Sequence, residues 1–237
     1  MLMWESLSFG DQGFGDEILA GAWLTVQLAV ASLGVGLVFG LLAATARLSR
    51  SRIARAIARA YTEIIRGIPE MLVVLVVFFG ASALLQKIVG WFGYDEYIEV
   101  NAFLAGTVAL ALVFGAFASE VLRGAFLAVP KGQIEAGIAC GMSSWQVFHR
   151  IRLPQMWRFA LPGLGNLWMV LLKDTSLISV IALDELLRWS KVAAETTKQP
   201  FTFYAVAALI YLLLAMVSDV GRLRLERWAS RGVMRSH

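Results

Sequence analysis

The sequence predicts an all-α, polytopic membrane protein of five transmembrane helices, with its N-terminus outside and its C-terminus in the cytoplasm. Three observations carry that expectation. Of 237 residues, 59% are hydrophobic and the mean hydropathy is +0.70, well above a soluble globular chain. Charge-free runs fall at 18–46, 71–86, 100–119, 159–172 (continuing past a Lys-Asp pair to 183) and 199–218. A crossing needs about 20 residues, so each run is one span, the second extended backwards through Gly67, Ile68, Pro69 and Glu70. Finally, 16 of the 21 lysines and arginines lie between runs one and two, between three and four, or after five. The opposite face carries Glu5, Asp11, Asp16, Glu17, Asp95, Glu96, Glu99, Asp184, Glu185 and Glu195 against few basic residues. Positive loops stay inside, which sets the orientation. The formal charge of +4 therefore reports topology and gives no reason to expect nucleic-acid binding.

Each element follows from its residues. The first run contains Gly21, Gly34, Gly36 and Gly40, small residues that let helices approach closely, so it is predicted at a helix interface. Between it and the second run, Ile53, Ile57, Tyr61, Ile64 and Ile65 recur at helical spacing among arginines, an amphipathic stretch lying at or entering the inner leaflet. In Arg66-Gly67-Ile68-Pro69-Glu70, proline removes a backbone donor and disfavours helix at Ile68, which predicts a break. Glu70 follows that break directly; it has a functional reading and an equally available pairing with Arg66 one turn back. The third run ends with Glu120 and Arg123 three residues apart, a predicted structural ion pair. The fourth contains Lys173-Asp174-Thr175-Ser176. Adjacent helical residues point about 100° apart, so Lys173 and Asp174 cannot both face lipid and at least one needs an interior partner.

The longest interruption between runs, residues 129–155, is organised as a knob. Pro130, Lys131 and Gly132 break the preceding helix, a short helix then places Ile134 and Ile138 on one face, and Gly141 stops it. Ser143 and Gln146 have the spacing of a capping box. A second short helix is predicted from there, carrying Trp145, Phe148 and Ile151 until Leu153 and Pro154 end it.

Some chemistry is not called for. The acidic first residues resemble no cleaved signal peptide, so the first span is expected to remain in the mature chain. The single cysteine, Cys140, is predicted to be a buried, inert thiol, and His149 and His237 form no ligand cluster, so neither metal nor cofactor is expected. There is no G-x-x-x-x-G-K-[ST] phosphate loop, so the chain itself is not expected to hydrolyse ATP.

Glu135-Ala136-Gly137, then Gly141, then Ile151-Arg152-Leu153-Pro154 resemble the EAA loop of ABC-transporter membrane subunits in residue and in spacing. Gly137 departs, standing where that family usually has a second alanine, which loosens the helix by about 1 kcal/mol. Tyr61 with Arg66-Gly67-Ile68-Pro69, Ser119-Glu120 with Arg123-Gly124, Pro130-Lys131-Gly132-Gln133 and Leu172-Lys173-Asp174-Thr175-Ser176-Leu177 extend the likeness over nearly the whole chain. They resemble the polar amino-acid ABC permeases, above all the histidine/lysine/arginine/ornithine, arginine and opine branch, to which Glu70, Pro154-Gln155-Met156-Trp157-Arg158 and Ala160-Leu161-Pro162-Gly163 are also similar.

The resemblance implies one transmembrane domain over residues 1–237 in a bacterial inner membrane, with residues 130–154 as its cytoplasmic coupling loop. It implies three partners besides lipid: an ATP-binding subunit, a second permease subunit, similar or identical, and an extracytoplasmic substrate-binding protein. Glu135, Ala136, Gly141, Ser143, Ile151, Leu153 and Pro154 are then the candidates for coupling to the ATPase. Glu70, Asp174, Thr175 and Ser176 are the candidates for binding a polar, cationic substrate. The last two equally suit bonds back to their own helix, and Asp174 a partner on another helix. The rival class, a secondary transporter or channel, shares the broken helix and buried charges, but its inverted repeat is missing and five spans do not halve. A membrane anchor or assembly factor leaves Lys173 and Asp174 unexplained.

Overall fold

The computed structural model describes residues 6–10, 13–91 and 100–229. Glu5, Asp11, Asp95, Glu96, Glu99, Arg231 and Arg235, counted above for orientation, and His237 lie outside the described residues. Five helices are long and apolar enough to cross a membrane. The first, α1 (Gly15–Leu48), opens with Asp16 and Glu17 and closes with Arg47, charges that complement the helix dipole. Next comes α2 (Arg52–Gly67), capped by Ser51, whose hydroxyl accepts from Ala54 N–H at 3.3 Å. It buries Ala58 and Thr62 and leaves Ile53, Ile57 and Ile64 exposed, the amphipathic stretch expected there. The buried Tyr61 hydroxyl donates to Leu112 O at 2.7 Å, and burial pushes its pKa up to about 12, so it remains a donor.

The break predicted at Pro69 is present. Ile68 is extended (φ −105°, ψ 139°), and the Pro69 carbonyl then accepts from Leu72 N–H at 2.9 Å to start α3 (Glu70–Trp91). The centre of the fold is α4 (Ala102–Ala128), whose N-cap Asn101 accepts from Leu104 N–H at 3.0 Å. Most of α4 is buried, because α1, α2, α3 and α7 all pack on it. Small residues make the α1 contact possible: a Cβ on Gly36 would stand 2.7 Å from Phe114 Cδ1, and one on Gly40 2.9 Å from Ala118 Cβ. At the expected ion pair, Glu120 takes both Arg123, at 3.0 Å, and Arg47 from the end of α1, which ties two spans together.

Beyond α4 come α5 (Lys131–Ala139), α6 (Ser144–Val147), a π-helical turn (Phe148–Arg152) and α7 (Leu153–Asp174). Here one expectation fails: Leu153 and Pro154 do not end a helix but begin the long one. The Leu153 N–H reaches back to Phe148 O, a π-type bond, and the helix runs on through Pro154 into α7 without a gap. Cys140 is another correction. It is the exposed C-cap of α5 rather than a core thiol, because the short helix buries only Gly137.

A 3-10 turn (Thr175–Ile181) follows α7 and ends at Ala182 in the left-handed region (φ 61°), before α8 (Leu186–Thr197) and α9 (Pro200–Ala229). A carboxylate organises this end. Glu185 is fully buried and caps α8, accepting from Arg188 N–H at 2.7 Å and Leu187 N–H at 2.9 Å, and from the Tyr211 hydroxyl of α9 at 3.2 Å. Beside it, Thr25 of α1 accepts from Leu186 N–H at 3.2 Å. Burial nevertheless dominates these donors and raises the Glu185 pKa from 4.5 to about 7. A raised carboxyl pKa means that the folded state holds the proton longer than the unfolded one, so stability falls as pH rises from about 4.5 through about 7. The loss amounts to roughly 3 kcal/mol. Detergent-solubilised protein is therefore expected to melt lower at pH 8 than at pH 5, and Glu185→Gln to remove most of that difference. Equal slopes for the two proteins in a melting series would count against it.

Candidate functional site

Two carboxylates that lie 104 positions apart in the sequence meet in one cavity. Glu70 is placed by the Pro69 break, which makes it the first residue of α3, where the helix dipole favours an acidic side chain. Asp174 is placed by the end of α7, where the backbone tightens into the 3-10 turn. Both side chains line that cavity. Phe114 and Phe117 of α4 and Leu171 of α7 supply apolar walls to a cavity of about 130 Å³. Two carboxylates lining one small cavity repel each other, so the arrangement favours a cation between them.

The structural partners foreseen for these residues are engaged elsewhere. Arg66 does not pair with Glu70 among the described residues; its guanidinium lies 5.2 Å above the Phe117 ring and 3.7 Å from Glu120. Lys173 is exposed while Asp174 is half-buried, so the two adjacent charges separate to opposite environments. Thr175 and Ser176 do not line the cavity. The Thr175 hydroxyl is buried, donates to Leu172 O at 2.8 Å and lies 3.5 Å from the Tyr211 hydroxyl; that of Ser176 donates to Lys173 O at 2.7 Å. Phe117 is a wall residue that sequence reasoning missed, because one aromatic in an apolar run carries no signal of its own. Glu185 was missed for a different reason: it merged into the acidic residues counted for orientation.

At the other end of α7 the knob forms. Gly141 adopts φ +80° and turns the chain from α5 to α6, and Ser143 with Gln146 makes the reciprocal capping box. Glu135, Ala136, Gly141, Ser143 and Pro154 are exposed, whereas Ile151 and Leu153 are turned inward. Ile134 and Ile138 divide: Ile134 packs toward the core and Ile138 stays 58% exposed, as does Trp145 at 67%. The departure at Gly137 has a local reason. A Cβ there would sit 2.6 Å from Ile151 Cδ1, so Ile151 fills the space an alanine methyl would take.

Comparison with known proteins decides the family. The model of the binding-protein-dependent transport system inner membrane component matches residues 36–231. The chain belongs to that family. It is 50% identical over 228 residues to the nopaline transport system permease protein NocQ of Agrobacterium fabrum, covering 96% of this chain and 97% of the relative. Similarity to the histidine/lysine/arginine/ornithine transport system permease protein HisQ of Escherichia coli is 40% over 224 residues (94% and 98% covered), and to the arginine ABC transporter permease protein ArtQ of Haemophilus influenzae 44% over 209 residues (88% and 91%). Among solved structures, an amino acid ABC transporter crystallised with histidines superposes with TM-score 0.77 at 29% identity, covering 90% of this chain and 94% of that one. The MetNI methionine transporter, at TM-score 0.71 and 19% identity, shares the fold. The permease is thus a multi-pass membrane subunit of a binding-protein-dependent ABC importer, working with ATP-binding and substrate-binding partners rather than as an enzyme or a secondary transporter.

Proposed function

We propose that this permease passes cationic amino acids or opines through the bacterial inner membrane, with Glu70 and Asp174 receiving the positive charge. The observation that carries this reading is the convergence of the two carboxylates in one apolar-walled cavity. A buried carboxylate pair costs several kcal/mol unless countered, and a guanidinium or ammonium counters both at once. Relatives named for nopaline and for histidine, lysine, arginine and ornithine support the substrate class. Thr175 and Ser176 belong to this reading as residues beside Asp174 that set where α7 gives way to the 3-10 turn.

On this reading residues 1–237 form one transmembrane domain, N-terminus outside and C-terminus inside, as the arginine bias supports. The knob at 130–154 then faces the cytoplasm and docks in a groove of the ATPase through its exposed side: Glu135, Ala136, Gly141, Ser143 and Pro154, with Ile138 and Trp145 as apolar anchors. Leu153 holds it to the core of the spans, and Ile151 packs over Gly137 within the knob. A second permease subunit, similar or identical, completes the pathway, and an extracytoplasmic protein delivers the substrate. The test is uptake in proteoliposomes of the complete transporter. Asp174→Asn and Glu70→Gln are each expected to weaken arginine uptake about 10- to 100-fold, the value of one charge-assisted hydrogen bond. Unchanged apparent affinity for arginine in both variants, at normal assembly, would sink the assignment.

A further inference from the structure

A second recess, of about 530 Å³, shares Glu70 and Phe117 with the carboxylate cavity and is bounded further by Arg66, Pro69, Met71 and Leu177. Arg66 is the cation of that recess, and its bonding is incomplete. Its nearest carboxylate oxygen, on Glu120, is 3.7 Å away, which is too long for a hydrogen bond. Both Glu120 oxygens are already supplied, one by Arg47 and the other by Arg123 at 3.0 and 3.2 Å. Among the described residues the Arg66 guanidinium therefore donates no hydrogen bond, and its side chain is 44% exposed. It lies over the Phe117 ring, 5.2 Å from the centroid, on the same aromatic that walls the carboxylate cavity. A guanidinium has five N–H groups in a planar fork matched to a carboxylate, and this one lines the recess just before the Pro69 break that leads into Glu70.

We propose that Arg66 binds the carboxylate of the transported molecule while Glu70 and Asp174 hold its cationic end, which makes the permease selective for molecules bearing both charges. This rests on the cation site argued above. It adds a requirement: amino acids and opines fit, whereas amines with the same cationic group and no carboxylate leave Arg66 unpaired. Phe117, common to both recesses, spans the apolar stem between the two charged ends.

The experiment measures direct binding to the complete transporter in nanodiscs without its binding protein, so that selectivity is read from the permease alone. The probes are arginine and agmatine, which share a guanidinium and differ in the carboxylate. Wild type is expected to bind arginine at least 10-fold more tightly than agmatine; equal binding of the two, or binding of neither at millimolar concentration, overturns the proposal. Arg66→Gln is expected to bring arginine down to the agmatine level and leave agmatine unchanged, while Asp174→Asn weakens both. Arg66→Lys, which keeps the charge but loses the fork, is expected to give an intermediate ratio and serves where the glutamine variant fails to assemble. An arginine/agmatine ratio that stays at the wild-type value in the Arg66 variants overturns the Arg66 assignment alone. Unchanged binding of both probes in Asp174→Asn overturns the cation site beneath it.

Discussion

Gly141→Val is expected to give a transporter that assembles and hydrolyses ATP but no longer imports. Nothing lies within 4 Å of a Cβ at Gly141, so the substitution meets no steric wall. The whole effect comes from the backbone: φ +80° is a left-handed conformation that a β-branched residue adopts only at a cost of about 1–2 kcal/mol. Valine relieves that strain by leaving the left-handed region, which swings α5 away from α6 and separates Glu135 and Ala136 from Ser143 on the exposed side of the knob. The spans are untouched, so membrane insertion survives. The ratio of ATP hydrolysed to substrate imported, measured in proteoliposomes, should rise at least 10-fold. Gly141→Asn is the control, since asparagine tolerates the left-handed region and should preserve coupling. A valine variant with the wild-type ratio would remove the knob from the coupling path.

Gly115→Leu is expected to abolish recovery of folded permease. A Cβ on Gly115 would stand 2.8 Å from Phe39 Cβ, 2.8 Å from the Tyr61 Oη and 3.0 Å from Gly36 O. The last of these is main chain, and the Tyr61 hydroxyl is committed to Leu112 O, so neither can move without disturbing another contact. Overpacking a core commonly costs about 1–3 kcal/mol; with a whole leucine pressed against both α1 and α2 the cost is about 3 kcal/mol or more, a large part of any domain's stability. Gly124→Leu on the same helix meets nothing within 4 Å and should leave the yield of monodisperse protein unchanged. Equal yields of the two variants would mean that α1 and α4 are not held together at Gly115.

What could be read in advance was what local chemistry dictates. The Pro69 break, the Ser143/Gln146 box, the Gly141 stop and the spans all follow from one residue type acting on its neighbours, and all are present. The continuity at Pro154 was not legible, because it depends on a π-turn upstream that brings Leu153 N–H to Phe148 O. Cys140 was misplaced since its burial depends on tertiary contacts, and a nine-residue helix on the surface offers few. The site was half legible: unusual charges in apolar runs marked Glu70 and Asp174, but their meeting in one cavity, and Arg66 turning to Phe117, are products of how α3, α4 and α7 pack. Thr175 has a hydroxyl in the right stretch of sequence, yet helix phase aims it at Tyr211.

Since the π-turn leaves no gap, the run Ser144–Ile181 is helical throughout, with Trp145 near one end and Asp174 near the other. Such a run behaves as a screw of fixed thread. One residue inserted between them would turn the carboxylate by about 100° and advance it by about 1.5 Å relative to the knob. Four inserted residues would bring its bearing back to within about 40°, but about 6 Å too far along. The number of residues between Trp145 and Asp174 is therefore as much a part of this permease's chemistry as their identities, even where no individual side chain in between has a task.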